Sequence, residues 1–234
     1  MKVLVTGSSR GLGAEIIKEF AKNGVDVVIN YNHSYKEAYD LADSIKNVDV
    51  QVIKCDVSNE DEVKDMFSQI ENIDFLINNA AISSDSDILE KSAMDFNRVL
   101  HTNLTGTFLV SKYAIKKMDK GSIINISSTN AIDTYYPESI DYDASKAGVI
   151  SLTHNFAREL APNITVNCIC PGWVKTPMNK DLSIEQITEE NKKILLGRFA
   201  EPEEISKVVM FLASTKSSYI NDSIIRVDGG KYNN

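Results

Sequence analysis

The strongest constraint in this chain is a repeated alternation. Short runs of apolar residues are separated, from end to end, by stretches whose apolar residues recur with helical spacing. Seven runs read as strands: Lys2–Thr6, Asp26–Asn30, Val50–Cys55, Asp74–Asn78, Ser122–Ser127, Ile164–Cys170 and Ser223–Val227. They are continuous rather than alternating, as parallel strands covered on both faces require. Between them, Leu12, Ile16 and Phe20 share one helix face, and Asn23-Gly24 supplies a stop. Val63, Met66, Phe67 and Ile70 follow the i, i+3, i+4, i+7 pattern, and Ser58-Asn59-Glu60-Asp61 before them resembles a capping box. Val149, Leu152, Phe156 and Leu160 form a third stripe. Ile205, Val208, Val209 and Leu212 form a fourth, opened by Pro202 and by Glu203 and Glu204 in its first turn. This order predicts an α/β fold: a doubly wound parallel sheet of about seven strands, with right-handed crossovers and helices on both faces.

A chain of 234 residues fits one such domain, so a single unit over 1–234 is expected and any substrate site must stand on the same sheet. The longest irregular stretch, Trp173–Phe199, carries helical patches but no strand pattern. It reads as a substrate lid, or else as a surface helix pair. With 43% hydrophobic and 25% charged residues, disordered and collagen-like classes are excluded. The net charge of −8, without a Lys/Arg run, argues against a nucleic-acid binder; Lys116, Lys117 and Lys120 read as a solvated helix end. No apolar stretch approaches the ~18 residues of a membrane span. Val3-Leu4-Val5 reads as a core strand rather than a signal peptide. The three cysteines sit in apolar runs, and Cys168-x-Cys170 has no second pair beside it, so a reduced cytoplasmic setting and no zinc site are expected. His33, His101 and His154 have no partners at metal-ligand spacing.

The first turn reads Thr6-Gly7-Ser8-Ser9-Arg10-Gly11-Leu12-Gly13, after the first strand and opening the first helix. Glycines there let the backbone approach a pyrophosphate, whose charge is favoured by free N–H groups and the helix dipole. The spacing is G-x-x-x-G-x-G, not the general dinucleotide fingerprint G-x-G-x-x-G. On its own it could equally be a tight strand-to-helix turn.

Other segments decide the matter. The turn resembles the cofactor motif of the short-chain dehydrogenase/reductase family, and the likeness continues along the chain. Asn78-Asn79-Ala80-Ala81 resembles the family's Asn-Asn-Ala-Gly, with Ala81 in place of glycine. Asn103-Leu104-Thr105-Gly106-Thr107-Phe108 resembles its active-site asparagine helix, and Asn125-Ile126-Ser127-Ser128 its catalytic serine. Tyr142-Asp143-Ala144-Ser145-Lys146 matches its Tyr-x-x-x-Lys. Pro171-Gly172 with Thr176, and Val227-Asp228-Gly229-Gly230, match its nicotinamide loop and closing strand. The resemblance implies a Rossmann-type sheet and a homotetramer or homodimer. Asn221-Asp222-Ser223 departs from the family's usual turn before the last strand. A second Tyr/Lys pair, Tyr113 and Lys117, has the same spacing, but such pairs arise on any solvated helix face. Ser128 lies 14 residues before Tyr142, and small Ala144, Ser145, Ala147 and Gly148 flank Lys146, which favours Tyr142.

The implied chemistry is carbonyl reduction: a hydride donor on one face, a proton donor at the oxygen. A free tyrosine has a pKa of ~10, and a nearby ammonium favours the phenolate, so Lys146 is expected to lower Tyr142 toward a useful range. The resemblance implies that Lys146 also holds the nicotinamide ribose, that Ser128 holds the substrate oxygen, with Ser127 as the alternative, and that Asn103 holds a water in a proton relay. Asn103 also reads as a helix kink or a satisfied buried amide.

Implied cofactor contacts are Gly7, Ser9, Arg10, Gly11, Leu12 and Gly13 of the turn; Asn30 at the end of the second strand; Asp56 and Val57 after the third; Asn79 and Ala80 after the fourth; Tyr142 and Lys146; and Pro171, Gly172, Val174 and Thr176. Asp56 could instead cap the next helix. No acid ends the second strand at Ile29-Asn30-Tyr31-Asn32-His33, where an NAD site would place one on the ribose. Arg10 stands where a guanidinium could pair with a 2′-phosphate, with His33 or Ser34 near it, so NADP(H) is expected over NAD(H).

Asn103–Phe108 and Gly197-Arg198-Phe199-Ala200-Glu201-Pro202-Glu203-Glu204 resemble the branch that reduces 3-oxoacyl thioesters on an acyl carrier protein. They also occur in family members acting on sugars, steroids, alcohols and quinones. Lys175, Lys180, Lys192 and Lys193 could dock an acidic carrier, or could be ordinary surface lysines. A cofactor-binding protein without turnover would have lost Ser, Tyr or Lys from its motifs; this chain keeps all three.

Overall fold

A computed structural model of the protein describes residues 1–133 and 136–230. All seven expected strands form, with ends shifted by no more than one residue: β1 Lys2–Val5, β2 Asp26–Tyr31, β3 Val50–Lys54, β4 Phe75–Asn78, β5 Gly121–Ile126, β6 Ile164–Pro171 and β7 Ile224–Val227. Their spatial order is β3-β2-β1-β4-β5-β6-β7, and every pairing is parallel. The order reverses between β1 and β4, and ligands of open α/β sheets bind outside the strands' carboxyl ends at such a switch point.

The two faces bury separate cores because side chains alternate along each strand. On one face Val3, Val5, Val27, Ile29 and Ile77 meet α1 (Gly11–Lys22), α2 (Tyr35–Ser44) and α8 (Pro202–Ala213). On the other, Leu4, Val28, Leu76 and Ile123 meet α3 (Glu60–Ser68), α5 (Gly106–Ala114) and α6 (Ile140–Leu160). Ile16, Ile17 and Phe20 of α1 are fully buried, each contributing roughly 1.5–3 kcal/mol. The helix ends at Asn23, and Gly24 turns with φ +75°.

Two local expectations need correction. The cap of α3 is Asn59, not a Ser58 capping box: its side chain accepts from the N–H groups of Asp61 and Glu62. Ser58 instead donates to the Asp56 carboxylate, which drew it out of the helix start. In α6 the buried row is Lys146, Val149, Thr153 and Ala157, while Leu152, Phe156 and Leu160 are half-buried beside it. Polar groups hold the inner row because Asn125 donates to Thr153 at 2.9 Å. The 173–199 stretch carries helix and no strand, as expected: it contains α7 (Ile184–Lys192), opened by a capping box of Ser183 and Gln186, and an isolated bridge joins Val174 to Ala200.

One feature left no trace in the spacing. Between α4 (Ala93–Leu100) and α5 the helix runs on through a π-turn, His101–Thr105, which contains Asn103. Such turns often mark functional positions.

Candidate active site

A cleft of about 1430 Å³ opens along the carboxyl ends of the strands. The turn after β1 forms its floor. Gly7 and Gly11 have φ +60°, and a Cβ on Gly7 would lie 2.8 Å from the Ala80 Cα. A Cβ on Gly13 would meet the Asn79 amide at 2.7 Å. The glycines therefore bring the turn, the Asn79 segment and the start of α1 into direct contact. Helix α1 begins with no side-chain cap and no acid in its first turn, so its N-terminal N–H groups and dipole face the cleft uncompensated. That is a cradle for a pyrophosphate.

The residues expected to hold a cofactor, Gly7, Ser9, Arg10, Gly11, Leu12, Gly13, Asn30, Asp56, Val57, Asn79, Ala80, Tyr142, Lys146, Pro171, Gly172, Val174 and Thr176, all line this cleft. The two asparagine amides among them are engaged with the protein itself. Asn30 accepts the Gly7 N–H at 3.0 Å and donates to the Cys55 carbonyl at 3.1 Å, which leaves its amide building the turn. Asn79 donates to the Thr6 and Gly7 carbonyls. Arg10 is exposed, with no side-chain partner among the described residues. Burial pushes the Asp56 carboxyl up, but hydrogen bonds from Ser58 and Asn32 outweigh it and hold its pKa below the ordinary value.

Ser128, Tyr142 and Lys146 meet at the same cleft. The Ser128 hydroxyl favours the ionised Tyr142 phenol, opposing the effect of burial. Ser127 donates instead to the Lys146 carbonyl at 2.8 Å, so its hydroxyl is tied to α6. The Lys146 ammonium lies 5.6 Å from the Tyr142 ring centroid and donates to the Ile126 carbonyl at 2.7 Å. Here the sequence expectation fails. Tyr142 is not lowered: burial pushes its phenol up to about 12, with Asp143, Asp85 and Cys170 adding to the rise. Burial likewise pulls Lys146 down to about 8. Loss of hydration is the largest cause at both groups.

Asn103 does not line the cleft. Its amide is fully buried, accepts from the Ile82 N–H and donates to the Ile82 carbonyl and to Ser145. Ser145 in turn donates to the Tyr142 carbonyl at 2.7 Å. The Asn103 side chain thus joins the cleft wall to the Tyr142 turn of α6. Tyr113 of the second Tyr/Lys pair binds Glu60 on the far helix layer.

Beyond Tyr142 the cleft is bordered by aromatic and acidic groups that no motif revealed. Trp173 stacks on Phe199 and donates to Glu190 at 2.8 Å; Tyr136 donates to the same carboxylate. Asp85, Glu138, Asp181, Glu185 and Glu189 line this end with Glu190. Three of the four lysines considered for a carrier-protein surface are paired with neighbouring acids: Lys175 with Glu201, Lys192 with Glu189, Lys193 with Glu190. Cys55, Cys168 and Cys170 are free, buried thiols. Among the described residues no helix is long and apolar enough to cross a membrane.

Comparison with known proteins agrees with this architecture. A family model described as Enoyl-(Acyl carrier protein) reductase matches residues 7–232. The 3-oxoacyl-[acyl-carrier-protein] reductase FabG of Aquifex aeolicus is 40% identical over 240 residues, covering 98% of this chain and 96% of that one. The solved 3-oxoacyl-[acyl-carrier protein] reductase of Brucella melitensis superposes with a TM-score of 0.93 at 30% identity, covering 100% of this chain and 91% of that one. A short-chain dehydrogenase of Burkholderia cenocepacia, solved in complex with NADP, superposes with a TM-score of 0.93 at 28% identity, covering 97% of this chain and 96% of that one.

Proposed function

The chain belongs to the short-chain dehydrogenase/reductase family, oxidoreductases acting between C=O and CH–OH, and from that premise we propose that it is an NADPH-dependent reductase of 3-oxoacyl thioesters in fatty acid biosynthesis. The observation that carries the reading is the convergence of Ser128, Tyr142 and Lys146 at one cleft with the glycine cradle. The cradle suits the dinucleotide: Gly7–Gly13 and the α1 N-terminus take the pyrophosphate, and Arg10 the 2′-phosphate. Asp56 and Val57 take the adenine end, Lys146 the nicotinamide ribose, and Pro171, Gly172, Val174 and Thr176 the nicotinamide. When bound, the cofactor supplies a hydride to the carbonyl carbon.

This chain's own residues handle the oxygen. Ser128 donates a hydrogen bond to it and Tyr142 delivers the proton. A phenol at about 12 keeps its proton at neutral pH, yet is more acidic than a water-like O–H at ~15.7. It can therefore give its proton to the alkoxide that reduction forms. Lys146 places a cation beside the phenolate that remains.

A second reading, a reductase of another small ketone, is favoured by the acid-lined outer cleft and the paired lysines, which suit an acidic carrier poorly. NADPH oxidation measured with acetoacetyl thioesters, on carrier protein and on a small thiol, and with free ketones tests both. Higher kcat/KM for the carrier-bound thioester supports the first reading; preference for free ketones overturns it. Tyr142→Phe is expected to abolish turnover.

A further inference from the structure

Asp141 precedes Tyr142 in the first turn of α6 and holds two groups at once. One carboxylate oxygen, Oδ1, accepts the Tyr142 peptide N–H at 2.8 Å. The other, Oδ2, accepts from Lys91 Nζ at 2.9 Å. Lys91 donates a second hydrogen bond, to the Ser84 carbonyl. The two side chains are 3% and 0% exposed, so the pair is dry.

Each contact answers a local need. The first N–H groups of a helix have no intrahelical acceptor, and Ser139 gives α6 no side-chain cap. Asp141 supplies the missing acceptor at the residue that carries the phenol. Lys91 closes the loop running from β4 to α4, whose residues Ala80, Ala81 and Ile82 wall the cleft. The same loop is tied to the approach to α6 by the Ser86 N–H, which donates to the Glu138 carbonyl at 3.2 Å.

A buried ion pair is a poor source of stability, because desolvation consumes most of the attraction; it does impose one geometry. Resting on the reading of Tyr142 as proton donor, we propose that Lys91 and Asp141 are positioning residues, which fix the Tyr142 turn of α6 against the cleft-wall loop. Neither touches the reacting atoms. With Ser145 on the Tyr142 carbonyl, the pair leaves the Tyr142 peptide held at both its N–H and its C=O.

The test compares two doubles that replace the ion pair with neutral groups and so leave no buried lone charge. Lys91→Met/Asp141→Asn keeps an acceptor for the Tyr142 N–H but loses the tether to the loop. Lys91→Met/Asp141→Leu loses both. Fluorescence titration with NADPH is expected to give a wild-type Kd for each, and also counts folded, cofactor-competent molecules. Per competent molecule, kcat is expected to fall several-fold in the Asn double and on the order of 100-fold in the Leu double, the scale of a misplaced reacting group. A merely structural role would leave kcat per competent molecule equal in all three proteins. Equal kcat for the two doubles, or for wild type and the Asn double, overturns the proposal. Tyr142→Phe separates it from the reading beneath: if that variant turns over, the assignment of Tyr142 fails; if it is inactive while both doubles match wild type, only the positioning role fails.

Discussion

The Lys146 ammonium lies 5.6 Å from the centroid of the Tyr142 ring; Tyr142 is half-buried at the cleft wall and Lys146 is buried. Its single hydrogen bond to the Ile126 carbonyl replaces only part of a lost hydration shell, and its pKa falls from 10.5 to about 8. At ~1.36 kcal/mol per unit, the charged lysine costs the fold about 3 kcal/mol at neutral pH. The hydrogen bond returns about 1 kcal/mol. Lys146→Met is therefore expected to stabilise the cofactor-free protein by about 2 kcal/mol, a rise in Tm of about 4–8 °C for a chain of this size, while abolishing reduction. Thermal melts and NADPH oxidation of the same preparation check both halves. A lower Tm would show that the ammonium stabilises the fold.

The same two groups set the pH dependence. Below pH 8 Lys146 is charged and Tyr142 neutral, which is the state that can donate a proton beside a cation. The rate of reduction is expected to be level up to about pH 8 and to fall above it as Lys146 loses its charge. Stability moves differently. Between about 8 and 10.5 the unfolded chain holds the Lys146 proton and the folded chain does not, so this group's contribution rises with pH. Between 10 and about 12 the folded chain holds the Tyr142 proton and the unfolded chain does not, so that contribution falls. Initial rates across pH 6–10 and melts across pH 6–12 check the expectation; a reduction rate still rising above pH 8 contradicts it.

The cofactor side of the cleft was legible because its chemistry is local: Gly7, Gly11 and Gly13 sit within one turn, and Tyr142 and Lys146 within one turn of α6. The strands were legible because each is a continuous apolar run. What escaped were the pairings between distant residues that no family motif carries. Lys91 and Asp141 are 50 positions apart, and Lys91 stands in a charged loop that reads as solvated. Glu190 joins Trp173 and Tyr136 only because α7 packs over them. Tyr142 and Lys146 were rightly paired, but the sign of the Tyr142 shift was misjudged, since proximity is visible in spacing and burial is not.

Gly7 carries two constraints that alanine violates together. Its φ of +60° suits glycine, and the new Cβ would sit 2.8 Å from a backbone atom of Ala80 that cannot swing away. The left-handed conformation costs an alanine roughly 1–2 kcal/mol, and forced overpacking typically another 1–3 kcal/mol. Gly7→Ala is expected to lower the Tm by several degrees and to weaken NADPH binding by at least an order of magnitude, because the turn must shift to relieve the contact. Titration of the folded variant with NADPH checks the second effect; unchanged affinity would show that the turn does not cradle the cofactor.

Arg10 is the residue proposed to distinguish the two dinucleotides. It is exposed at the start of α1, lines the cleft and makes no side-chain bond within the described residues, so removing it leaves no buried partner behind. Its effect on binding should therefore report what it contacts in the cofactor. A charge-assisted hydrogen bond contributes about 1.5–3 kcal/mol, which corresponds to a loss of about 10- to 150-fold. Arg10→Ala is expected to raise the Kd for NADPH by that factor and to leave the Kd for NADH nearly unchanged, since NADH has no 2′-phosphate. High salt should weaken NADPH binding to the wild type more than to the variant, because the pairing is solvent-exposed and screened. Equal losses for both dinucleotides would mean that Arg10 supports the pyrophosphate instead, and any preference for NADPH would then have to come from His33 or Ser34, which also line the cleft.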